Sequence, residues 1–126
     1  MRLHHVQVCC PRGGEPEARR FYGEGLGLLE VEKPAELAGR GGAWFRAYDD
    51  TGAVAAELHV GVEEPFAAAR KAHPAFVFPS LEALEEVVAR LARLGHQADR
   101  REWDTFPGYR RVHVEDAHGN RVELLA

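Results

Sequence analysis

The stretch His5-Val6-Gln7-Val8 is nearly repeated 68 residues later by His73-Pro74-Ala75-Phe76-Val77-Phe78. The same offset of 68 residues separates Leu26-Gly27 from Leu94-Gly95. In each half, a histidine opens an apolar strand, a helix follows, and a glycine ends that helix. Such an internal repeat predicts two copies of one supersecondary unit, which together bury a core that neither copy buries alone.

Length and composition limit the class of protein. The chain has 126 residues, 45% of them hydrophobic, which suits a single domain with a real core. The net charge of −4 argues against nucleic-acid binding, which favours a clustered basic surface. No apolar run is long enough to span a membrane, and the N-terminus lacks the apolar segment of a secretion signal. We therefore expect a cytoplasmic protein.

The first half, about residues 1–61, is predicted to form a strand, a helix and three more strands. The helix begins near Glu15-Pro16-Glu17, because proline is tolerated in a first turn and acidic side chains favour the positive end of the helix dipole. The glycines at positions 23, 25 and 27 are expected to stop it. The predicted strands are 3–9, 28–32, 43–48 and 53–60.

The second half, about residues 73–126, repeats this order after a linker of about 62–72. The linker carries an alanine-rich segment, 66–72, for which we predict a short helix. The main helix of this half follows Ser80, a favourable N-cap, and Gly95 stands where a helix-terminating glycine belongs. The predicted strands are 73–78, 97–100, 109–115 and 121–125. The fold class is therefore α+β, built from two β-α-β-β-β modules.

Five side chains in predicted strands stand out as candidate metal ligands. His5 and His73 occupy matching positions in the two first strands. Glu57 and His59 are two residues apart, so both side chains point to one face of their strand. Glu123 is a carboxylate among apolar neighbours in the last strand, and a buried charge is costly unless it is paired or bound to a metal.

Imidazoles combined with one or two carboxylates form a nitrogen and oxygen ligand set. Such a set suits Zn, Ni, Co, Fe or Mn. The alternative is that His5 and His73 are ordinary strand histidines and that Glu123 is an edge carboxylate. The repeat leaves the fourth-strand ligand of the first half open between Glu57 and His59, because the offset changes there by one or two residues.

A loop and strand of the second half supply candidate substrate-binding residues. Trp103, Phe106 and Tyr109 surround a proline and a glycine, an arrangement typical of loops that cap a pocket or pack over a core. Arg111 could hold an anionic substrate, since arginine suits carboxylates and phosphates. His113 shares a strand face with Arg111, either lining a cavity or lying on the surface.

Ordered along the chain, these motifs resemble the vicinal oxygen chelate superfamily, which includes glyoxalase I, bleomycin-resistance proteins, fosfomycin-resistance enzymes and extradiol dioxygenases. The resemblance covers essentially the whole chain. Its last motif has alanine at position 117, where the family signature usually has proline. The motifs are Leu3-His4-His5-Val6-Gln7-Val8, Phe21-Tyr22 with Leu26-Gly27-Leu28, Glu57-Leu58-His59, His73, and Asp116-Ala117-His118-Gly119-Asn120-Arg121-Val122-Glu123-Leu124.

The resemblance implies two modules forming a concave mixed sheet that cradles a divalent metal. The implied ligands are His5, His73 and Glu123, with Glu57 as a glyoxalase-like fourth ligand and His59 as its competitor. The metal would polarise a small substrate that chelates it through two oxygens, and Glu123 or Glu57 would carry the substrate proton. The resemblance also implies a homodimer. The competing class is a metal-free protein of the bleomycin-resistance kind, which sequesters a small molecule between two subunits.

Overall fold

Each half of the computed structural model, which describes all 126 residues, builds one mixed β-sheet. The chain divides into two units, Met1–Ala67 and Ala68–Ala126. In the first unit the strand order is β1-β4-β3-β2, with β1 and β4 parallel and the other pairs antiparallel. Its elements are β1 Val6–Cys10, α1 Glu15–Ala18, β2 Leu29–Val31, α2 Ala35–Ala38, β3 Ala43–Tyr48 and β4 Val54–Val62.

The first helix ends among its glycines, as expected. A π-helical segment, Arg19–Gly25, continues α1, so Gly23 lies inside the helix and Gly25 is its last residue. Glycine tolerates helical backbone angles as well as left-handed ones, and the neighbouring Phe21 and Tyr22 are fully buried. The chain turns out of the helix at Gly27, whose φ is +82°.

The second unit has the strand order β5-β7-β6, with β5 and β7 parallel and β6 and β7 antiparallel. The strand predicted at 97–100 is reduced to a single bridge between Asp99 and His113. The short helix predicted for 66–72 is wrong, since those residues form no helix, and a segment of this length rarely holds a helix by itself. The elements are β5 Ala75–Val77, α3 Leu81–Arg93, β6 Arg111–Glu115 and β7 Arg121–Leu125.

The helix α3 is confirmed together with both of its end signals. The Ser80 hydroxyl accepts a hydrogen bond from the backbone N–H of Ala83 at 3.2 Å. Gly95 has a φ of +96° beyond the last turn. The order of strands and helices confirms the α+β class. The first unit has the predicted four strands, and the second has three, with the Asp99 bridge in place of the predicted second strand. None of the helices combines the length and the apolar character that crossing a membrane requires.

Both units contain buried apolar side chains. A buried Leu, Val or Phe side chain contributes about 1.5–3 kcal/mol relative to an exposed one. The largest fully buried side chains lie on β1, the π-helical segment, β3 and β4 in the first unit and on α3, β6 and β7 in the second: Cys10, Phe21, Tyr22, Phe45, Leu58, Leu84, Leu91, Val112, Val114, Val122 and Leu124. The central strands β4 and β7 also carry Glu57, His59 and Glu123, so the sheets hold these polar side chains in fixed positions.

Replacing Gly42 by alanine tests the packing of the first sheet. Gly42 has a φ of +79°, and a Cβ atom at this position would overlap the carbonyl oxygen of Val60. We expect Gly42→Ala to lower the free energy of unfolding in urea by about 1–2 kcal/mol for the left-handed backbone and by about 1–3 kcal/mol more for the overlap. The matched control is Gly52→Ala, with a φ of +82° and open space around it, which should show only the first effect. Equal losses in both variants would contradict the packing described for Gly42.

Candidate metal centre

Glu123 is a buried carboxylate on the central strand of the second sheet. The residue is 6% exposed. Its Oε1 atom accepts a hydrogen bond from Nη1 of Arg111 at 2.9 Å, and its Oε2 atom lies 3.2 Å from Nε2 of His73. Arg111 comes from β6, and His73 lies two residues before β5, so the carboxylate is contacted from the side of each neighbour of β7.

His73 is held in one tautomer by the backbone. Its Nδ1 atom lies 2.5 Å from the carbonyl oxygen of Lys71, which can only accept a hydrogen bond, so Nδ1 carries a proton. In the neutral ring, Nε2 then has a lone pair facing the Glu123 carboxylate. Two lone pairs at 3.2 Å repel each other unless a second ring proton or a metal cation lies between or beside them. A ring N–H bonded to a backbone carbonyl is also the usual support of a metal-binding histidine.

His113 completes a group of three potential ligands. Its Nε2 atom lies 3.8 Å from Oε1 of Glu123, which is too long for a hydrogen bond, and its ring lies edge-on to His73 with centroids 5.7 Å apart. One ligand atom from each of His73, His113 and Glu123 falls within 4.8 Å of the others. Sequence analysis assigned His113 to substrate binding, whereas the structure places it beside the candidate ligands.

The protonation states in this group suit a metal. Burial alone would raise the pKa of Glu123, but hydrogen bonds from Arg111 and His73 outweigh it and lower that pKa below its ordinary value. Burial lowers the pKa of His113, against the opposing effect of the Glu123 charge. An ionised carboxylate and a neutral imidazole are the forms that bind metals.

The first unit contains a second buried pair on β4. Glu57 accepts a hydrogen bond from Nε2 of His59 at 2.8 Å and another from Nε of Arg46 at 2.7 Å. Arg46 stands directly opposite Glu57 on β3. Burial tends to raise the pKa of Glu57, but the hydrogen bonds from His59 and Arg46 lower it overall. The carboxylate is therefore ionised and can only accept, so Nε2 of His59 carries the proton in this bond.

His59 is enclosed by two aromatic rings. The Trp44 ring stacks on one face with centroids 3.9 Å apart and planes within 1°, and the His5 ring stacks on His59 at 4.1 Å and 16°. Nδ1 of His5 also lies 3.0 Å from Nδ1 of His4. Burial lowers the pKa of His59 despite the hydrogen bond to Glu57. His59 is thus a neutral, tightly enclosed imidazole with its Nδ1 lone pair unprotonated.

Strand register shows which residue of β4 corresponds to Glu123. Gln7 lies two residues after His5, and Ala75 lies two residues after His73, so Gln7 and Ala75 occupy equivalent positions in the repeat. Gln7 pairs with His59 in the first sheet, and Ala75 pairs with Glu123 in the second. By this criterion His59, and not Glu57, is the counterpart of Glu123 within its own module.

A loop before β6 surrounds Arg111 with hydrogen-bond acceptors that sequence analysis missed. Nη2 of Arg111 donates to Oε2 of Glu102 at 2.5 Å and to Oγ1 of Thr105 at 2.8 Å. The guanidinium also lies over the Phe106 ring, 5.5 Å from its centroid. Glu102 and Thr105 carry no sequence signal of this role, because their contact with Arg111 depends on the path of the loop.

The other residues of the predicted substrate loop are arranged as pairs near the surface. Phe106 and Tyr109 are 44% and 38% exposed and lie edge-to-face with centroids 5.8 Å apart. Trp103 is covered by the guanidinium of Arg100 at 4.9 Å. A cavity of about 610 Å³ lies at the β6 side of the second unit, and of the predicted substrate residues His113 is the one that lines it. Most of its lining is polar, which suits a small polar ligand.

Comparison with known proteins gives one clear family. The family model described as "Glyoxalase/Bleomycin resistance protein/Dioxygenase superfamily" matches residues 2–124. No curated protein matches the chain.

Solved structures agree with this match. A protein from Bacillus anthracis, described as of the glyoxalase family, is 39% identical, with 99% of this chain and 98% of that one covered and a TM-score of 0.78. The fosfomycin resistance protein FosX from Listeria monocytogenes is 16% identical, with coverage of 100% and 93% and a TM-score of 0.71. A glyoxalase/bleomycin resistance protein from Albidiferax ferrireducens T118 is 17% identical, with coverage of 98% and 96% and a TM-score of 0.71. The last two likenesses concern the fold alone.

The buried ion pair of Glu123 predicts a specific dependence of stability on pH. Its folded-state pKa is lowered, so its stabilisation is present above the unfolded value of about 4.3 and is lost as the pH falls through the lower folded value. In metal-free buffer we expect Glu123→Gln to lower the free energy of unfolding by about 1.5–3 kcal/mol at pH 7. Urea titrations should show that the difference in free energy of unfolding between wild type and Glu123→Gln becomes smaller below about pH 4.

The matched control for this prediction is Glu115→Gln on the exposed end of β6. It should change the free energy of unfolding by less than about 0.5 kcal/mol both at pH 7 and at about pH 3.5. A gap between wild type and Glu123→Gln that stays the same from pH 7 to pH 3.5 would contradict the assigned ion pair.

Proposed function

Because this chain belongs to the glyoxalase/bleomycin resistance protein/dioxygenase superfamily, we propose that it is a divalent-metal-dependent enzyme acting on a small, oxygen-bearing organic molecule. One observation supports this proposal above the others. His73, His113 and Glu123 converge within 4.8 Å, with the His73 tautomer fixed by the Lys71 carbonyl. The metal is one that accepts mixed imidazole and carboxylate ligands, namely Zn, Ni, Co, Fe or Mn.

The chemistry of the donors fits such a metal. Two imidazoles and one carboxylate make a borderline ligand set that leaves positions for water or substrate. The carboxylate is ionised, and Nε2 of His73, the ring nitrogen that is not bonded to the Lys71 carbonyl, lies 3.2 Å from it. When bound, the metal supplies Lewis-acid polarisation of substrate oxygens. The polar cavity of about 610 Å³ next to His113 is proposed to admit the substrate.

Glu123 and Glu57 are the proposed carriers of a substrate proton. In the resting protein both carboxylates have a lowered pKa, because arginine and histidine hydrogen bonds outweigh the opposing effect of burial. A carboxylate in this state is a weak base. Proton transfer by either group therefore requires that substrate binding exchange at least one of these hydrogen bonds.

For the first unit we propose His59 as the fourth-strand ligand and Glu57 as the residue that orients it. The register comparison makes His59 the counterpart of Glu123, and its Nε2–H bond to Glu57 leaves Nδ1 with a lone pair. A metal-binding histidine typically donates its other N–H to a carboxylate in this way. His5, which stacks on His59, remains a proposed ligand, and a homodimer remains the proposed assembly.

Metal uptake tests the proposed function directly. We expect untagged protein, stripped and reloaded with Zn²⁺ or Co²⁺, to bind about one equivalent after desalting. His73→Ala and Glu123→Gln should each weaken binding at least about tenfold by calorimetry. The control is His96→Ala, which removes an imidazole outside the group and should bind as wild type does.

Two results would decide against the metalloenzyme. Wild-type protein that takes up less than about a tenth of an equivalent of Zn²⁺, Co²⁺, Ni²⁺, Fe²⁺ and Mn²⁺ alike would fit the metal-free binding class instead. Full stoichiometry and unchanged affinity in both His73→Ala and Glu123→Gln would place the metal on other residues.

A separate pair of variants tests the assignment within β4. His59→Gln removes the proposed ligand, whereas Glu57→Gln keeps the imidazole and weakens only its orientation. We expect the loss of Co²⁺ affinity to be larger for His59→Gln than for Glu57→Gln, with the latter within about tenfold of wild type. The reverse order would assign the ligand role to Glu57.

A further inference from the structure

Arg111 is bound on both sides by groups that leave it little capacity for a substrate. Nη1 donates to Glu123, Nη2 donates to Glu102 and Thr105, and Nε lies 3.2 Å from the Thr105 hydroxyl. Its side chain is 18% exposed. An arginine has five N–H groups, and most of them are already engaged by the protein.

These contacts form one continuous hydrogen-bonded chain through the candidate centre. It runs from the Glu102 carboxylate to Arg111, then to Oε1 of Glu123, and from Oε2 of Glu123 to His73 and the Lys71 carbonyl. The two Glu123 oxygens therefore have different partners. Arg111 holds Oε1, and Oε2 is the oxygen presented beside Nε2 of His73.

From this arrangement, which rests on the proposed metal-binding function, we infer that Arg111 is a positioning residue of the metal centre. It fixes the Glu123 carboxylate so that Oε2 alone is offered to the metal, and Glu102 and Thr105 fix Arg111 in turn. The loop of residues 101–110 thereby sets the affinity of the centre without contributing a ligand. Arg111 acts here through Glu123 and not by contact with an anionic substrate.

The backbone supports this role of the loop. The N–H of Arg111 donates to the carbonyl of Trp103 at 3.2 Å, and the N–H of Thr105 donates to the carbonyl of Glu102 at 3.2 Å. The Phe106 ring covers the guanidinium from one side. The acceptors of Arg111 are therefore part of a turn that is itself tied to the start of β6.

The test measures Co²⁺ binding to the full chain by calorimetry and by the visible spectrum of the bound ion. Arg111→Met keeps an unbranched, mainly aliphatic side chain but removes the guanidinium and its donors. We expect it to bind Co²⁺ about 10–100-fold more weakly and, at saturation, to show a shifted Co²⁺ spectrum, because the carboxylate is free to change its binding mode. Arg111→Lys should recover part of the affinity, since it keeps one donor and the charge.

The matched control is the neighbouring arginine. The Arg110 side chain is 48% exposed and pairs with Asp104, so Arg110→Met makes the same chemical change one residue before β6 without removing a contact to Glu123. It should match wild type in affinity and in spectrum. A purely structural role for Arg111 would lower the melting temperature of Arg111→Met and leave the saturated spectrum unchanged.

The outcomes separate this inference from the function on which it rests. If wild type binds Co²⁺ and Arg111→Met binds within twofold of it, or more tightly, the positioning role is overturned while the metal centre stands. If wild type binds none of the metals, both are overturned. Should Arg111→Met fail to fold, Glu102→Gln and Thr105→Val leave the arginine in the sequence but weaken the groups that fix it. Unchanged affinity and spectrum in both variants would equally overturn the role of the loop.

Discussion

Glu123 brings a negative charge into the middle of the second sheet, where it is 6% exposed. A buried carboxylate is strongly unfavourable unless charged or hydrogen-bonding groups compensate it. Arg111 and His73 provide that compensation, each from a strand region on one side of β7. Their own positions depend on the loop that binds Arg111 and on the Lys71 carbonyl that fixes the His73 ring. One buried charge is thus connected to a histidine held by the backbone, to an arginine and to the loop that binds that arginine.

The two modules pair their strands in the same way around β4 and β7 but differ in chemistry at corresponding positions. His59 and Glu123 have the same place relative to the first strand of each module. The residue opposite His59 on the next strand is Trp44, which stacks on it, whereas the residue opposite Glu123 is His113, which offers a nitrogen. The same pairing of strands therefore stacks an aromatic ring on His59 in the first unit and brings potential metal ligands together around Glu123 in the second.

Much of the fold follows from local signals in the sequence. Ser80 and Gly95 mark the ends of α3 because N-capping and left-handed backbone are properties of single residues. The stacking of Trp44 on His59 could not be derived in this way. The pairing of Tyr48 with Val54 would by itself set Trp44 opposite Leu58, but a bulge next to Ala47 shifts the register by one residue. Nothing local marks that bulge, and a one-residue shift moves every later side chain to a different partner.

The candidate site was likewise predictable in part. His73 and Glu123 stood out as a repeat histidine and a carboxylate among apolar residues, and they are in contact. The hydrogen bonds of Arg111 to Glu102 and Thr105 depend on the geometry of the loop, and the spacing of these residues in the sequence does not indicate them.

The most direct measurement of the central claim is X-ray absorption spectroscopy of the Co²⁺-loaded protein. The account predicts multiple-scattering features of at least two imidazoles together with carboxylate oxygen, and a first shell of oxygen scatterers without imidazole would contradict it.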